Sequence, residues 1–242
     1  MSEFRTQTTY ADEASGLRSY ITGVFTRMGI AVLITAVVAF LGFYSIATQG
    51  FMFNLLSSGI GSIIFIVPAI AQFGICIFLS AKLMSMQTKT ATILLYVYAA
   101  LTGFTFSIYG LLYDTGTFFS AFAFASVMFF CCAIIGHTTN VDLTKFSGIL
   151  IGGLIALVIA SIASIFIPFL RESLLISYIG IILFLFLTAW DMQKIKGYYY
   201  GTQGGTGVIG QNLAVFGAFQ LYLDFINIFL YVLRILGSRS RK

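Results

Sequence analysis

The 242-residue chain is 59% hydrophobic and only 9% charged, with a mean hydropathy of +1.00. A soluble domain carries about 25% charged residues, so this composition excludes an ordinary soluble fold and points to a polytopic membrane protein. The net charge of +5 comes from a scarcity of acids, and lysines and arginines at a membrane surface account for it without any nucleic acid.

A backbone in lipid must satisfy its hydrogen bonds internally, which leaves helices or a closed barrel. Barrel strands alternate apolar and polar residues over about ten positions. Here the apolar runs continue for about 20 residues, the length that carries a helix across a hydrocarbon core about 30 Å thick. The expected fold is all-α, with about seven transmembrane helices.

Residues 1–27 form a polar arm, with Arg18 and Arg27 at the membrane interface. Charges run through it and no early apolar core interrupts them, so no cleavable signal is expected. The first span covers about 28–48 and ends in a charge-free loop with glycine and serine. The second covers about 59–81 and contains Pro68 and Gln72. Lys82 and Lys89 flank the turn into the third span, about 90–110. A short loop with Asp114 leads to the fourth, about 117–135. His137 to Ser147 is a polar connector. The fifth span, about 148–168, is closed by Pro168, and Arg171 and Glu172 mark a tight turn into the sixth, about 174–194. Gly197 to Gly210 is glycine-rich and predicts a flexible connector. The seventh span runs from Gln211 to Leu233. The transmembrane domain is thus 28–235, followed by a basic tail, 236–242. No fixed-period repeat is present.

Loop charges predict the orientation. Arg5, Arg18 and Arg27, then Lys82 and Lys89, Lys145, and Lys194 and Lys196 fall on one side; only Arg171 falls on the other. The positive-inside rule places the N-terminus in the cytoplasm. Arg234, Arg239, Arg241 and Lys242 break the pattern. Either the tail is an exception or the last segment does not cross fully.

The last span carries the chemistry. Asp224 lies well inside it, and an acid at the centre of a membrane helix costs about 2.5–3.5 kcal/mol on insertion scales. It should face protein or a water-filled path. Gln220, Asp224, Asn227 and Tyr231 are spaced four, three and four apart, which makes one polar helix face. Asp191 is the other acid outside the arm and loops, near the end of span six. Spans six and seven are consecutive, so the two carboxylates are expected to meet. Unit charges about 4 Å apart repel by about 4 kcal/mol at an effective dielectric near 20. Such a pair holds one proton between its members near neutral pH. Carboxylate oxygens are also what a hard cation such as Ca²⁺ prefers. Asp191 has an alternative role: Lys194 lies three residues on, so it can form a helix-end ion pair. Asp224 can likewise be a hydrogen-bonded structural acid.

Enzymatic constellations are lacking. His137 is the sole histidine and sits in a loop, which disfavours intramembrane Ser–His proteolysis. H-E-x-x-H is absent, and Gly201 to Gly207 lacks the G-K-[ST] ending of a phosphate loop. The last span has no lysine to attach retinal. Cys76, Cys131 and Cys132 sit in apolar runs without C-x-x-C spacing, so buried thiols are expected. The expectation is no enzyme and no cofactor.

The segments Leu187-Thr-Ala-Trp-Asp-Met-Gln-Lys-Ile-Lys196 and Gly217-Ala-Phe-Gln-Leu-Tyr-Leu-Asp-Phe-Ile-Asn-Ile-Phe-Leu230 resemble motifs of the Bax inhibitor-1 (TMBIM) family, in its bacterial type. The connector Thr139 to Gly148 and the span-two segment Ala71 to Lys82 are similar too, and the resemblance covers roughly residues 20–235. It implies seven helices with the last at the centre, and a pH-sensitive Ca²⁺ leak controlled by two aspartates. Those match Asp191 and Asp224, as the gate and the Ca²⁺ ligands. Family members usually carry a glutamate early in span two and an arginine near its end; the corresponding places here hold Gln72 and Lys82.

The expected function is a passive, proton-sensitive cation leak, with Ca²⁺ as transported ion and Gln220, Asn227 and Gln72 lining the path. Lys82 is the candidate charge partner. Two alternatives remain: a non-conducting membrane regulator that binds a membrane protease or another stress or cell-death partner, and a proton-coupled Ca²⁺ exchanger. The expected compartment is a bacterial inner membrane, with an internal eukaryotic membrane as the alternative.

Overall fold

The structure, a computed structural model, describes residues 2–58 and 63–240. The start of the expected second span, 59–62, and the last two tail residues, Arg241 and Lys242, lie outside the described residues.

Every regular element among the described residues is helical. In chain order they are α1 (Ser2–Ala47), α2 (Phe51–Ser57), α3 (Ile63–Lys82), α4 (Thr88–Phe106), α5 (Tyr109–Leu112), α6 (Thr115–Thr138), α7 (Ser147–Phe166), α8 (Pro168–Glu172), α9 (Leu175–Gly201) and α10 (Gly207–Ser240). A 3₁₀ turn, Leu143–Phe146, lies between α6 and α7. Among the described residues six helices are long and apolar enough to cross a membrane, and Ile66–Lys82 is a shorter apolar helix. This is an all-α polytopic membrane protein; α3, the expected second span, is the shorter apolar helix, and the start of that span lies outside the described residues.

Several boundaries differ from the sequence expectation for local reasons. The polar arm and first span form one helix, because no proline or glycine pair breaks the register and one face stays apolar. Tyr20, Val24, Met28, Ala31 and Thr35 repeat at spacings of four, four, three and four, and all are buried. The charge-free loop after α1 contains the short helix α2. α7 already ends at Phe166, and Pro168 opens α8 at its first turn instead of closing α7. The preceding residue, Ile167, is extended, as the proline ring requires.

The glycine-rich connector is shorter and more ordered than expected. α9 runs to Gly201 and α10 starts at Gly207, leaving five residues, 202–206, between them. Gly205 has φ +70, and a Cβ there would lie 2.3 Å from the Tyr20 ring. The Tyr20 hydroxyl donates to the Gly210 carbonyl at 3.2 Å, and the Tyr199 hydroxyl donates to the Glu13 carbonyl at 3.2 Å. The turn is held against α1 by aromatic packing and two hydrogen bonds.

The chain divides into two compact units: Met1–Leu112 with Ile195–Tyr222, and Tyr113–Lys194 with Leu223–Lys242. In the first, α1 packs on α4, and α3 on α4. The α1–α4 seam is narrow: a Cβ on Gly103 would lie 2.5 Å from the Thr35 carbonyl oxygen. Small residues at such seams let membrane helices approach until their backbones touch. The second unit repeats the device. α6 buries Ala121, Ala125, Phe129, Ala133 and Gly136 at three- and four-residue spacing, and Gly136 sits against the Ala189 backbone of α9. α10 is the most buried of the six spans, with 72% of its apolar window inside against 11% for α7.

Candidate functional site

The first unit holds a buried polar chain. The Thr35 hydroxyl lies 2.8 Å from the Tyr222 hydroxyl and donates to the Ala99 carbonyl at 3.0 Å. Tyr222 is also within hydrogen-bonding reach of Thr102, to whose hydroxyl the Gln72 amide donates at 2.8 Å. Gln72, the residue expected in the ion path from span two, is thus tied to α4. Gln220 accepts from the Tyr198 hydroxyl at 3.3 Å and is half-buried. Lys82 is exposed in the last turn of α3. The α3–α4 turn beside it is fixed by Asn212, fully buried on α10, whose amide donates to the Leu83 and Met86 carbonyls at 2.8 Å each.

The second unit contains both membrane carboxylates. Asp191 on α9 is 5% exposed and Asp224 on α10 is 4% exposed. The helical period sets out the α9 side. Thr188, Asp191 and Lys194 are three residues apart and share a face. Lys194 Nζ lies 2.5 Å from Asp191 Oδ1, so the expected ion pair is present. Its ammonium also lies 4.0 Å from the centroid of the Trp190 ring, one turn back, a cation–π contact. The charges of Asp191 and Lys194 both act on Asp224. The Thr188 hydroxyl donates to the Phe184 carbonyl at 2.8 Å and lies within hydrogen-bonding reach of the Asp224 carboxyl. Asp224 Oδ2 is buried and has no hydrogen-bond partner among the described residues. The ion pair, one of the alternatives read from the sequence, is therefore present, and Asp224 lies within electrostatic range of both its members.

Asn227, one turn beyond Asp224, donates to the Leu223 carbonyl at 2.8 Å. With Tyr231 it lines a cavity of about 390 Å³ between α7, α9 and α10, whose other walls are mostly apolar. The polar connector after α6 is pinned by Gln193 on α9. The Gln193 amide donates to the Val141 carbonyl at 2.7 Å, and its oxygen accepts from the Leu143 amide at 3.0 Å. Asp142 caps the 3₁₀ turn, and hydrogen bonds from the Thr144 hydroxyl and amide hold its carboxyl below the ordinary carboxylate value. His137 falls in the last turn of α6 rather than in the loop.

Thr188 and Gln193 were not singled out from the sequence. Only their spacing signals them: Thr188 precedes Asp191 by three residues, and Gln193 lies between Asp191 and Lys194. Chemically, two carboxylates and one ammonium leave the group at a net charge of minus one when all are ionised. That charge can accept a proton or part of a cation's charge. Among the described residues no group of three or more His, Cys, Asp or Glu side chains converges. A bound cation would therefore draw on the two carboxylates, the Thr188 hydroxyl, backbone carbonyls and water, a donor set of oxygens that suits a hard ion.

Comparison with known proteins places the chain. It is 34% identical over 243 residues to the inner membrane protein YbhL of Escherichia coli (strain K12), covering 99% of this chain and 100% of that one. It is 38% identical over 224 residues to an uncharacterised protein of Rickettsia prowazekii, covering 93% of this chain and 91% of the relative. An uncharacterised protein of Borreliella burgdorferi is 36% identical over 220 residues, covering 91% and 92%. Residues 17–241 match the family described as inhibitor of apoptosis-promoting Bax1. With most of its length matched, the chain belongs to the Bax inhibitor-1 family of integral, multi-pass membrane proteins.

Proposed function

We propose that this protein is a passive cation leak of a bacterial inner membrane, that Ca²⁺ is its ion, and that Asp191 and Asp224 form a proton-sensitive gate. The observation that carries this reading is Asp224: a membrane carboxyl buried beside a second carboxylate, with one oxygen left without a partner. A purely structural acid would have its oxygens satisfied, because an unpaired buried acceptor costs about 1–3 kcal/mol. Deprotonated, the pair offers oxygens to a divalent cation; protonated, it loses that charge and closes. Asn227, one turn beyond Asp224, lines the path within the second unit. Calcium efflux from proteoliposomes between about pH 6 and 8 tests this. Efflux that falls as the pH is lowered supports the gate, and pH-independent efflux contradicts it.

The Asp191–Lys194 ion pair favours a second reading, in which the polar residues only hold the helices together and the protein regulates a membrane protease or another partner without conducting. Stoichiometric copurification of a partner, with no ion flux, supports that reading. If an imposed proton gradient drives Ca²⁺ uphill, the protein is an exchanger instead of a leak.

A further inference from the structure

The site already contains a cation, and it is covalently attached. Lys194 reaches back along α9 to place Nζ 2.5 Å from Asp191 Oδ1, and its charge is felt by Asp224 on the neighbouring helix. The two carboxyls are not equivalent. Asp191 is engaged by the ammonium, whereas Asp224 Oδ2 has no partner among the described residues. A divalent ion that used both carboxyls would come close to the ammonium that Lys194 holds against Asp191 Oδ1. Two positive charges that close together repel strongly in a low-dielectric site, which favours release of the ammonium.

We propose that Lys194 is a tethered counter-cation that occupies half of the Asp191–Asp224 site, and that a divalent ion binds by displacing it. This rests on the reading of the pair as a cation site. The side chain is built for such an exchange. Its side chain is 26% exposed while that of Asp191 is 7% exposed, so the ammonium has an exit that the carboxylate lacks. Its four-carbon stem is flexible, and the ammonium is a strongly hydrated point charge that leaves into water readily. The Trp190 ring, 4.0 Å away, holds the ammonium in the docked position by cation–π attraction. Lys194 thereby sets a threshold for entry. A divalent cation carries enough charge to replace it, and a monovalent one competes on equal terms with a tethered rival. Lys194 is thus a specificity-determining residue.

Trp190 is the single tryptophan of the chain, so it reports the site without added labels. The test uses the full chain in nanodiscs, with Tb³⁺ as probe and Trp190 as sensitiser, and Ca²⁺ or Na⁺ as competitor. Lys194→Met and Lys194→Gln are compared with the unsubstituted protein, with Asp224→Asn as the site control. The expected result is Tb³⁺ and Ca²⁺ binding roughly tenfold tighter in both Lys194 variants, and a larger gain for Na⁺ than for Ca²⁺. Ca²⁺ should also change Trp190 emission in the unsubstituted protein, as the ammonium leaves the ring, and leave it unchanged in Lys194→Met. Equal affinity in the Lys194 variants and the unsubstituted protein, with binding lost in Asp224→Asn, overturns the counter-cation role and leaves the cation site standing. No binding in any of the four proteins overturns both. Using two neutral substitutions guards against a single variant that fails to fold.

Discussion

Thr188 and Asp224 meet inside the second unit: the hydroxyl on α9 lies within hydrogen-bonding reach of the carboxyl on α10. That contact gives Asp224 one partner and leaves Oδ2 without one. Thr188→Val keeps the shape and removes the hydroxyl. The expected outcome is Ca²⁺ binding weakened about tenfold, in line with the 1–2 kcal/mol measured for hydrogen bonds between model membrane helices. Thr188→Ser should restore it. Calcium titration of the two variants in nanodiscs checks this, and equal affinities in both would show that the hydroxyl does not serve the carboxyl.

The seam between α6 and α9 makes a stability prediction. A Cβ on Gly136 would lie 2.3 Å from the Ala189 carbonyl oxygen, and backbone cannot move aside cheaply. Gly136→Ala should cost about 1–3 kcal/mol or prevent folding, as overpacking does. Gly152 on α7 has nothing within 4 Å, so Gly152→Ala should be neutral or stabilise by up to about 1 kcal/mol. Melting temperatures of the two variants in detergent should move apart, the first downward.

In the first unit the hydroxyls of Thr35 and Tyr222 are 2.8 Å apart. Thr35→Val removes that bond and the one to the Ala99 carbonyl. Tyr222 keeps Thr102 as a partner, so the loss should be near the membrane average, about 0.6–1.7 kcal/mol. A fall of a few degrees in melting temperature, with Ca²⁺ affinity unchanged, is the expected result.

Asp142 gives a pH prediction outside the spans. Its carboxyl is held below its ordinary value by Thr144, with Lys145 adding to the effect. A depressed folded value means the cap contributes stability above the ordinary carboxylate range and loses it as pH falls through the folded value. The protection of the Thr144 amide, which donates to Asp142 at 3.0 Å, against hydrogen exchange, taken relative to the unstructured rate at each pH, should therefore fall on acidification from about pH 5 to 3. In Asp142→Ala that protection should already be lost at neutral pH.

Much of this arrangement was legible in the sequence because lipid makes polar residues conspicuous. Asp224 stood out in an apolar run, and its four-three-four stripe with Gln220, Asn227 and Tyr231 fixed a face. Asp191 stood out as the remaining acid, and its i,i+3 neighbour Lys194 as a partner. The helical class followed from composition. What stayed hidden depends on tertiary contact. Nothing local distinguishes Thr188 from other helix threonines until α10 brings Asp224 to it. The glycine-rich stretch looked flexible because its order comes from Tyr20 and Tyr199, far away in sequence or across the turn. The continuous α1 was masked by the polarity of its first turns, while its buried stripe from Tyr20 to Thr35 crosses the expected boundary at residue 27. Pro168 was assigned to the end of one helix, but a proline fits equally well at the start of the next, and α8 takes it there.

The proposed gate rests on the carboxyl of Asp224. Calcium efflux from proteoliposomes, measured at several pH values for the unsubstituted protein and Asp224→Asn side by side, tests it most directly. Efflux should change between about pH 6 and 8 in the unsubstituted protein and lose that dependence in the variant. Asp224→Asn vesicles that leak Ca²⁺ with the same pH profile would contradict it.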